Sequence, residues 1–216
     1  MSQTGRLVRD AALLGVRLGE ADAARLLTLL GELARWNRRT NLTAITDPGQ
    51  MITHHLLDSL AISPDLAGTR IADAGTGAGF PGLPLAVANP GRHFTLIDSN
   101  AKKLRFVSHA VELLGLGNVA TLHARSESLH PESPFDTVTA RAFAPLPKLL
   151  AQVAPLCGPA TRVLAMKGRW PQDELAGLPA GWRLDDSRII RVPGLDAARC
   201  VLMLSKADAA AAPSSP

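Results

Sequence analysis

Apolar residues recur at three- and four-residue spacing between Glu20 and Arg39, where Leu26, Leu27, Leu29, Leu30, Leu33 and Trp36 mark one side of a helix. A stripe of that kind needs a surface to pack on. A second helical stretch, near Gln50 to Ile62, carries Ile52, Leu56, Leu57 and Leu60 on one side and stops before Pro64. Together they predict an N-terminal helical extension over residues 1–65, packed on the rest of the chain.

After Gly68 the pattern changes. Short apolar runs at Arg70 to Asp73 and Phe94 to Asp98 read as buried strands separated by a helix-length segment. Ala101 to Leu114 reads as a helix, Val119 to Leu122 and Phe135 to Thr139 as strands, Leu146 to Ala154 as a helix and Thr161 to Met166 as a fifth strand. This alternation predicts a mainly parallel sheet. The last two strands, near Trp182 to Ile190 and Cys200 to Leu204, lack an intervening helix, so they are expected to pair as an antiparallel edge hairpin. The domain is therefore expected over residues 66–206, with an Ala-, Ser- and Pro-rich tail, 207–216, disordered.

Composition narrows the class. A chain of 216 residues with 46% hydrophobic content can bury one substantial core. Cys157 and Cys200 lie far apart, which argues against a disulfide framework or a zinc site and favours a reducing compartment. Neither a membrane-length apolar run nor a signal-peptide layout is visible, so a soluble cytoplasmic protein is expected. Residues 1–65 hold seven basic and seven acidic side chains, so the net charge of +4 lies wholly in the remainder, where a basic substrate face is expected.

The densest chemistry is Asp73-Ala74-Gly75-Thr76-Gly77-Ala78-Gly79, closing the first strand. Glycines there let the backbone approach a ligand. Gly77, Gly79 and Gly82 also spell the dinucleotide pattern, so the glycines alone leave NAD open, and a bare tight turn with capping aspartates is the bland alternative. Two features favour S-adenosylmethionine, and a third supports the fold without choosing. The Asp73 carboxylate would repel a pyrophosphate, yet suits loop amides or the cofactor's positive charge. Pro81 and Pro84 remove amide donors that a pyrophosphate would use. Asp98, ending the second strand, is placed for ribose hydroxyls, which suits either cofactor.

With these residues, the chain resembles the GidB/RsmG family of bacterial small-subunit ribosomal RNA guanine-N7 methyltransferases. The likeness covers Trp36-Asn37, Asn41-Leu42-Thr43, His55 to Leu60, Asp73 to Pro84, Asp98-Ser99 with Lys102-Lys103, Arg141-Ala142-Phe143-Ala144 and Lys167-Gly168. It implies an α/β fold of class I methyltransferase (Rossmann-like) type with a mostly parallel seven-stranded sheet, and S-adenosyl-L-methionine as donor. The implied acceptor is a guanine of 16S rRNA near the decoding site of the small ribosomal subunit. Carried over by position, Gly75 and Phe80 match cofactor contacts, Asp98 the ribose partner, Ser126 and Glu127 the adenine side, and Arg141 a cofactor-pocket arginine. Asp58 is implied to touch the cofactor loop. Ala74 stands where valine or isoleucine is more usual in the family.

Guanine N7 carries a lone pair and no proton, so no general base is required, and positioning supplies the catalysis. The Asn/Asp-Pro-Pro-aromatic tetrad of many exocyclic-amine methyltransferases is absent after the fourth strand, and Cys157 lacks an activating setting. N7 in duplex RNA lies in a deep, narrow groove, so the target base must be accessible or extruded, with Arg141, Lys167 and Arg169 as candidate RNA-facing cations. Lys102 and Lys103, in the first turn of a helix, oppose its dipole, which a phosphate or a salt bridge to Asp98 would explain, a solvated face being the plain alternative. His54 and His55 are expected to pack or hydrogen-bond rather than bind a metal, and a monomer is expected. Competing readings are a methyltransferase with another acceptor, an NAD-dependent oxidoreductase, and a non-catalytic ribosome-assembly factor.

Overall fold

The computed structural model describes residues 2–141 and 144–207. The expected tail, apart from Ala207, and Ala142-Phe143 of the Arg141 motif lie outside the described residues.

Seven strands form one sheet: β1 (Arg70–Ala74), β2 (His93–Asp98), β3 (Val119–His123), β4 (Phe135–Arg141), β5 (Cys157–Lys167), β6 (Trp182–Ile189) and β7 (Cys200–Lys206). Their spatial order is β3-β2-β1-β4-β5-β7-β6. Pairings from β3 through β5 are parallel, while β7 runs antiparallel to both β5 and β6. The predicted hairpin forms, with its second strand as the inner one. β1 is buried on both faces in the middle of the parallel part, so the residues after it emerge at the carboxyl edge between β2 and β4, where the strand order reverses.

Two apolar clusters cover the two faces. On one, Ala72, Ala74, Val138 and Val163 pack with Leu146, Leu149, Leu150 and Val153 of a helix at Leu146–Val153. On the other, Ile71, Phe94, Leu96 and Leu164 share a core with the N-terminal helices. These are α1 (Gln3–Leu13), α2 (Glu20–Thr40), α3 (Pro48–Met51) and α4 (Asp58–Leu60), followed in the sheet region by α5 (Gly82–Ala88) and α6 (Ala101–Leu113). The Leu146–Val153 helix is α7, and Gln172–Ala176 forms α8.

α2 follows the predicted stripe: Leu26, Leu29 and Leu33 are fully buried, each contributing about 1.5–3 kcal/mol of apolar transfer. Acidic Glu20 and Asp22 in its first turn and basic Arg38 and Arg39 in its last complement the helix dipole. α1 is an element that the sequence pattern did not announce. Ser2 caps it by accepting from Gly5 N–H at 3.1 Å, and it buries Leu7 and Ala11.

The second expected helix is not a regular amphipathic one. Asp47 caps α3 through Gln50 N–H, then Ile52–Leu57 winds as a π-helix before α4 resumes. Asp58 N–H reaches back to Thr53 C=O. The result is that His55 through Ile62 are buried consecutively rather than on one face. Widened turns of this kind re-aim side chains toward a site. Among the described residues, no helix is long and apolar enough to cross a membrane.

Candidate active site

The turn after β1 folds around its own carboxylate. Asp73 is 1% exposed and accepts from Thr76 Oγ1 at 2.6 Å, Gly82 N–H at 2.9 Å and Thr139 Oγ1 at 3.0 Å. Burial pushes its carboxyl up to about 6, against those three hydrogen bonds and the Arg141 charge, which pull it down. Of the two roles the sequence left to Asp73, this geometry is that of the loop-holding one. Gly82, the third glycine of the dinucleotide pattern, is required for the same packing: a Cβ there would overlap Leu96 and stand 2.8 Å from Asp73 Oδ2.

Gly75, Gly77 and Gly79 have φ of 68°, 62° and 89°, a region that side chains resist. The N–H groups of Thr76, Gly77, Gly79, Phe80, Gly82 and Leu83 all donate within the protein. A dinucleotide-binding turn keeps such amides for its pyrophosphate. Here these six are engaged by the turn itself, by Asp73 and by the end of β2, and a buried carboxylate lies beneath the turn. This arrangement fits a cofactor without phosphates, such as S-adenosylmethionine.

Asp98, partly exposed at the end of β2, accepts from Gly77 N–H at 2.8 Å through one oxygen and Asn100 N–H at 2.7 Å through the other. It thereby joins the glycine turn to the start of α6, and its oxygens keep lone pairs for further donors. Ala124 N–H bonds the Asp98 carbonyl at 3.2 Å, bringing the Ser126–Ser128 turn beside that edge. Ser126 is buried, whereas Glu127 is exposed and lies 3.7 Å from Arg125.

Phe80 connects the turn to the π-helix. Its ring stacks on His55 with centroids 4.7 Å apart, and the Arg141 guanidinium sits 5.7 Å from its centroid. Arg141 Nη1 donates to His54 C=O at 2.9 Å and to Asp58 Oδ2 at 3.3 Å. Arg199 Nε donates to the other Asp58 oxygen at 3.0 Å. Asp58 therefore bonds two arginines, and Arg141 over Phe80 links it to the glycine turn.

His55 Nε2 meets Thr43 Oγ1 at 3.0 Å, and Asn37 holds Thr43 through both its backbone groups at 2.9 Å. Burial foremost, with the Arg141 and His54 charges, pushes the His55 imidazole down to about 4. Its Nδ1 is buried and has no hydrogen-bond partner among the described residues. Asn37, Thr43, His55 and Phe80 thus form one contact chain from α2 to the glycine turn.

Lys167 ends β5 and is not free. Its Nζ donates to Glu174 Oε2 at 2.7 Å and to Ala144 C=O at 2.9 Å, while the same Glu174 oxygen accepts from Leu146 N–H at 2.5 Å. Burial acts to raise the Glu174 carboxyl, but Lys167 and the Leu146 N–H outweigh it and hold it below its ordinary value. The lysine expected to face RNA thus ties α8 to the segment after β4, at the border of the cleft. Arg169 is exposed beside Trp170, itself 45% exposed. Neither Lys102 nor Lys103 pairs with Asp98; both backbone amides donate to the Asn100 cap.

Between the π-helix and the ends of β4 and β5 lies a cleft of about 340 Å³, lined in part by His54, His55, Asp58, Arg141, Lys167 and Arg199. Cys157 is no nucleophile for it: burial pushes the thiol up to about 12, and its Sγ donates to Val153 C=O. Sequence reasoning missed Thr139, Glu174 and Arg199. No local motif announces them, since each acts on a residue from another element.

The model of rRNA small subunit methyltransferase G, GidB, matches residues 22–202. The protein of that name from Nitrosococcus oceani is 47% identical over 198 residues, spanning 92% of both chains. The one from Marinobacter nauticus is 41% identical over 204 residues, 94% of this chain and 95% of that one. Among solved structures, a SAM-dependent methyltransferase from Aquifex aeolicus covers 74% of this chain and 94% of its own at 20% identity, with a TM-score of 0.54. A SAM-dependent methyltransferase from Thiobacillus denitrificans, in complex with S-adenosyl-L-homocysteine, covers 69% and 91% at 13% identity with a TM-score of 0.53. The structural likenesses establish the class I methyltransferase fold. A match along residues 22–202, carried by relatives that align over nearly their whole length, places the chain in the GidB family of small-subunit ribosomal RNA methyltransferases.

Proposed function

We propose that this protein transfers the methyl group of S-adenosylmethionine to N7 of a guanine in 16S rRNA. The observation that carries the reading is the match to the GidB family along residues 22–202, and the cleft beside the glycine turn supplies the cations and fixed walls that the reaction needs. Of its described lining, His55 is held neutral and is too weak a base at neutral pH, Asp58 is locked between two guanidinium groups, and His54 has its Nδ1 bonded to Gln50 C=O at 3.0 Å. An acceptor that needs no base suits such a lining. N7 has no proton to lose.

In this reading Gly75, Gly77, Gly79 and Phe80 form the cofactor wall, with Asp73 holding them from beneath. Asp98 accepts from the ribose, Ser126 and Glu127 border the adenine, and Arg141 steadies Phe80 and the acceptor side. Bound there, S-adenosylmethionine supplies an electrophilic methyl group on a sulfonium. The protein orients the acceptor and excludes water, contributions that together can reach about 7–11 kcal/mol. Arg169 and Trp170, exposed next to the cleft, suit a phosphate and an unstacked base.

We propose further that residues 1–65 serve as a helical extension to a methyltransferase domain of residues 66–206, and that the protein works as a cytoplasmic monomer. The test supplies methyl-labelled S-adenosylmethionine with free 16S rRNA, precursor particles and intact small subunits, followed by chemical cleavage at 7-methylguanine. Label cut out at one guanine is expected. Label on an exocyclic amine or ring carbon would overturn the N7 assignment.

A further inference from the structure

We infer that the groove between the end of α2 and the start of α6 is a phosphate-binding rail for the RNA strand flanking the target base. Two adjoining hollows of about 530 and 420 Å³ share Trp36, Arg39 and Thr40, and are bordered by Arg35 and Arg38 on α2 and by Lys102 and Arg105 on α6. All five cations are exposed. Only Arg35 has an ion pair, with Glu32 at 2.6 Å; Arg38, Arg39, Lys102 and Arg105 form none among the described residues.

Net charge along the chain does not reveal this cluster, because the 1–65 segment is neutral as a whole and three of the cations come from it. Folding separates them from their balancing acids. Glu32 is engaged by Arg35, by Trp36 Nε1 at 2.7 Å and by His109 at 2.7 Å, so it does not oppose the others. Glu112 borders the neighbouring hollow, seven residues beyond Arg105.

Helix dipoles account for Arg38 and Arg39, at the end of α2, but not for Lys102. That lysine stands in the first turn of α6, where a cation is disfavoured, and an anionic ligand would offset the cost. The floor of the groove is rigid: Trp36 stacks on His109 with centroids 5.2 Å apart and meets Phe106 edge-on at 5.6 Å. Fixed cations of one sign over a rigid floor suit a polyanionic backbone.

Position supports RNA as the occupant. α6 begins shortly beyond Asp98, at the carboxyl end of β2, and the cleft lies at the ends of β4 and β5. The ends of β2 and β5 are three strand spacings apart, about 14 Å. The rail and the cleft thus flank the glycine turn along one edge of the sheet. A strand lying along that edge would place its phosphates on the rail while one base entered the cleft. This inference rests on the RNA reading proposed above.

The test compares the full-length protein with R38Q/R39Q/K102Q/R105Q, and with K102Q/R105Q as a milder pair. Binding to 16S rRNA is measured from low to moderate salt, beside methyl transfer and thermal stabilisation by S-adenosylhomocysteine. The four-site variant is expected to bind RNA at least 10-fold more weakly and to lose about 3 units of the log K against log salt slope. Its response to S-adenosylhomocysteine should be unchanged, which shows that it is folded. Equal RNA affinity and slope in all three proteins would overturn the rail while leaving the methyltransferase reading intact. Normal binding to free RNA with a loss confined to assembled subunits would assign the groove to a ribosomal protein and also overturn it. Wild-type protein that responds to S-adenosylhomocysteine but neither binds nor methylates RNA would sink both.

Discussion

Asp98 and His55 act at the scale of single residues, one at the end of β2 and one in the π-helix. Asp98→Ala removes the acceptor of Gly77 and Asn100 N–H, so affinity for S-adenosylhomocysteine should fall at least 10-fold by calorimetry, with about 1–2 kcal/mol of stability lost. An unchanged affinity would remove Asp98 from the site. For His55 the unfolded chain takes up its proton near pH 6.5, whereas the folded chain does so only at about pH 4. Stability from this group is therefore lost as pH falls through that interval, by up to about 1.4 kcal/mol per pH unit. Asp73, raised to about 6 from 3.8, acts oppositely, because the folded state binds its proton first and gains stability as pH falls. His55→Gln isolates the histidine: its stability deficit at pH 7 should shrink by about 2–3 kcal/mol at pH 4.5 in urea denaturation. A deficit independent of pH would contradict a neutral, buried imidazole.

At the scale of elements, the π-helix sets where Asp58 stands. Asp58→Asn leaves Arg141 and Arg199 without their shared anion in a site where the carboxylate side chain is 6% exposed, and we expect a loss of about 3 kcal/mol. Weaker S-adenosylhomocysteine binding should accompany it, transmitted through Phe80. A variant as stable as the parent would show that the two arginines find other partners. The sequence foretold α2 from Leu26, Leu29 and Leu33 because burial there follows an ordinary 3.6-residue period. It foretold a helical stretch from Gln50 to Ile62 but not its π winding, because an i to i+5 turn carries no such period and His55 to Ile62 are buried all round. α1 escaped notice since its eleven residues bury little beyond Leu7 and Ala11. The glycine turn was legible because its parts lie within ten residues. The Arg199 to Asp58 pair was not, its partners being 141 residues apart with no local signature.

Across the whole molecule, the N-terminal helices share one apolar cluster with the sheet face under the site. Removing residues 1–18 deletes α1 and the buried Leu7, Val16 and Leu18, worth about 5 kcal/mol together by their apolar transfer. Scanning calorimetry should show one transition lowered by about 10 °C or more. An unchanged midpoint would mean that the extension docks without supporting the core.

Because six amides of the glycine turn are already bonded within the protein, the turn stands folded before any ligand arrives. A cradle of that kind gives up little conformational entropy when it is filled, so it grips whatever shares the nucleoside and amino-acid parts of its ligand. The spent by-product shares all of them and lacks only the methyl group and the positive charge on sulfur. We expect S-adenosylhomocysteine to compete strongly with fresh donor, so that the rate in the cell follows how quickly that by-product is cleared.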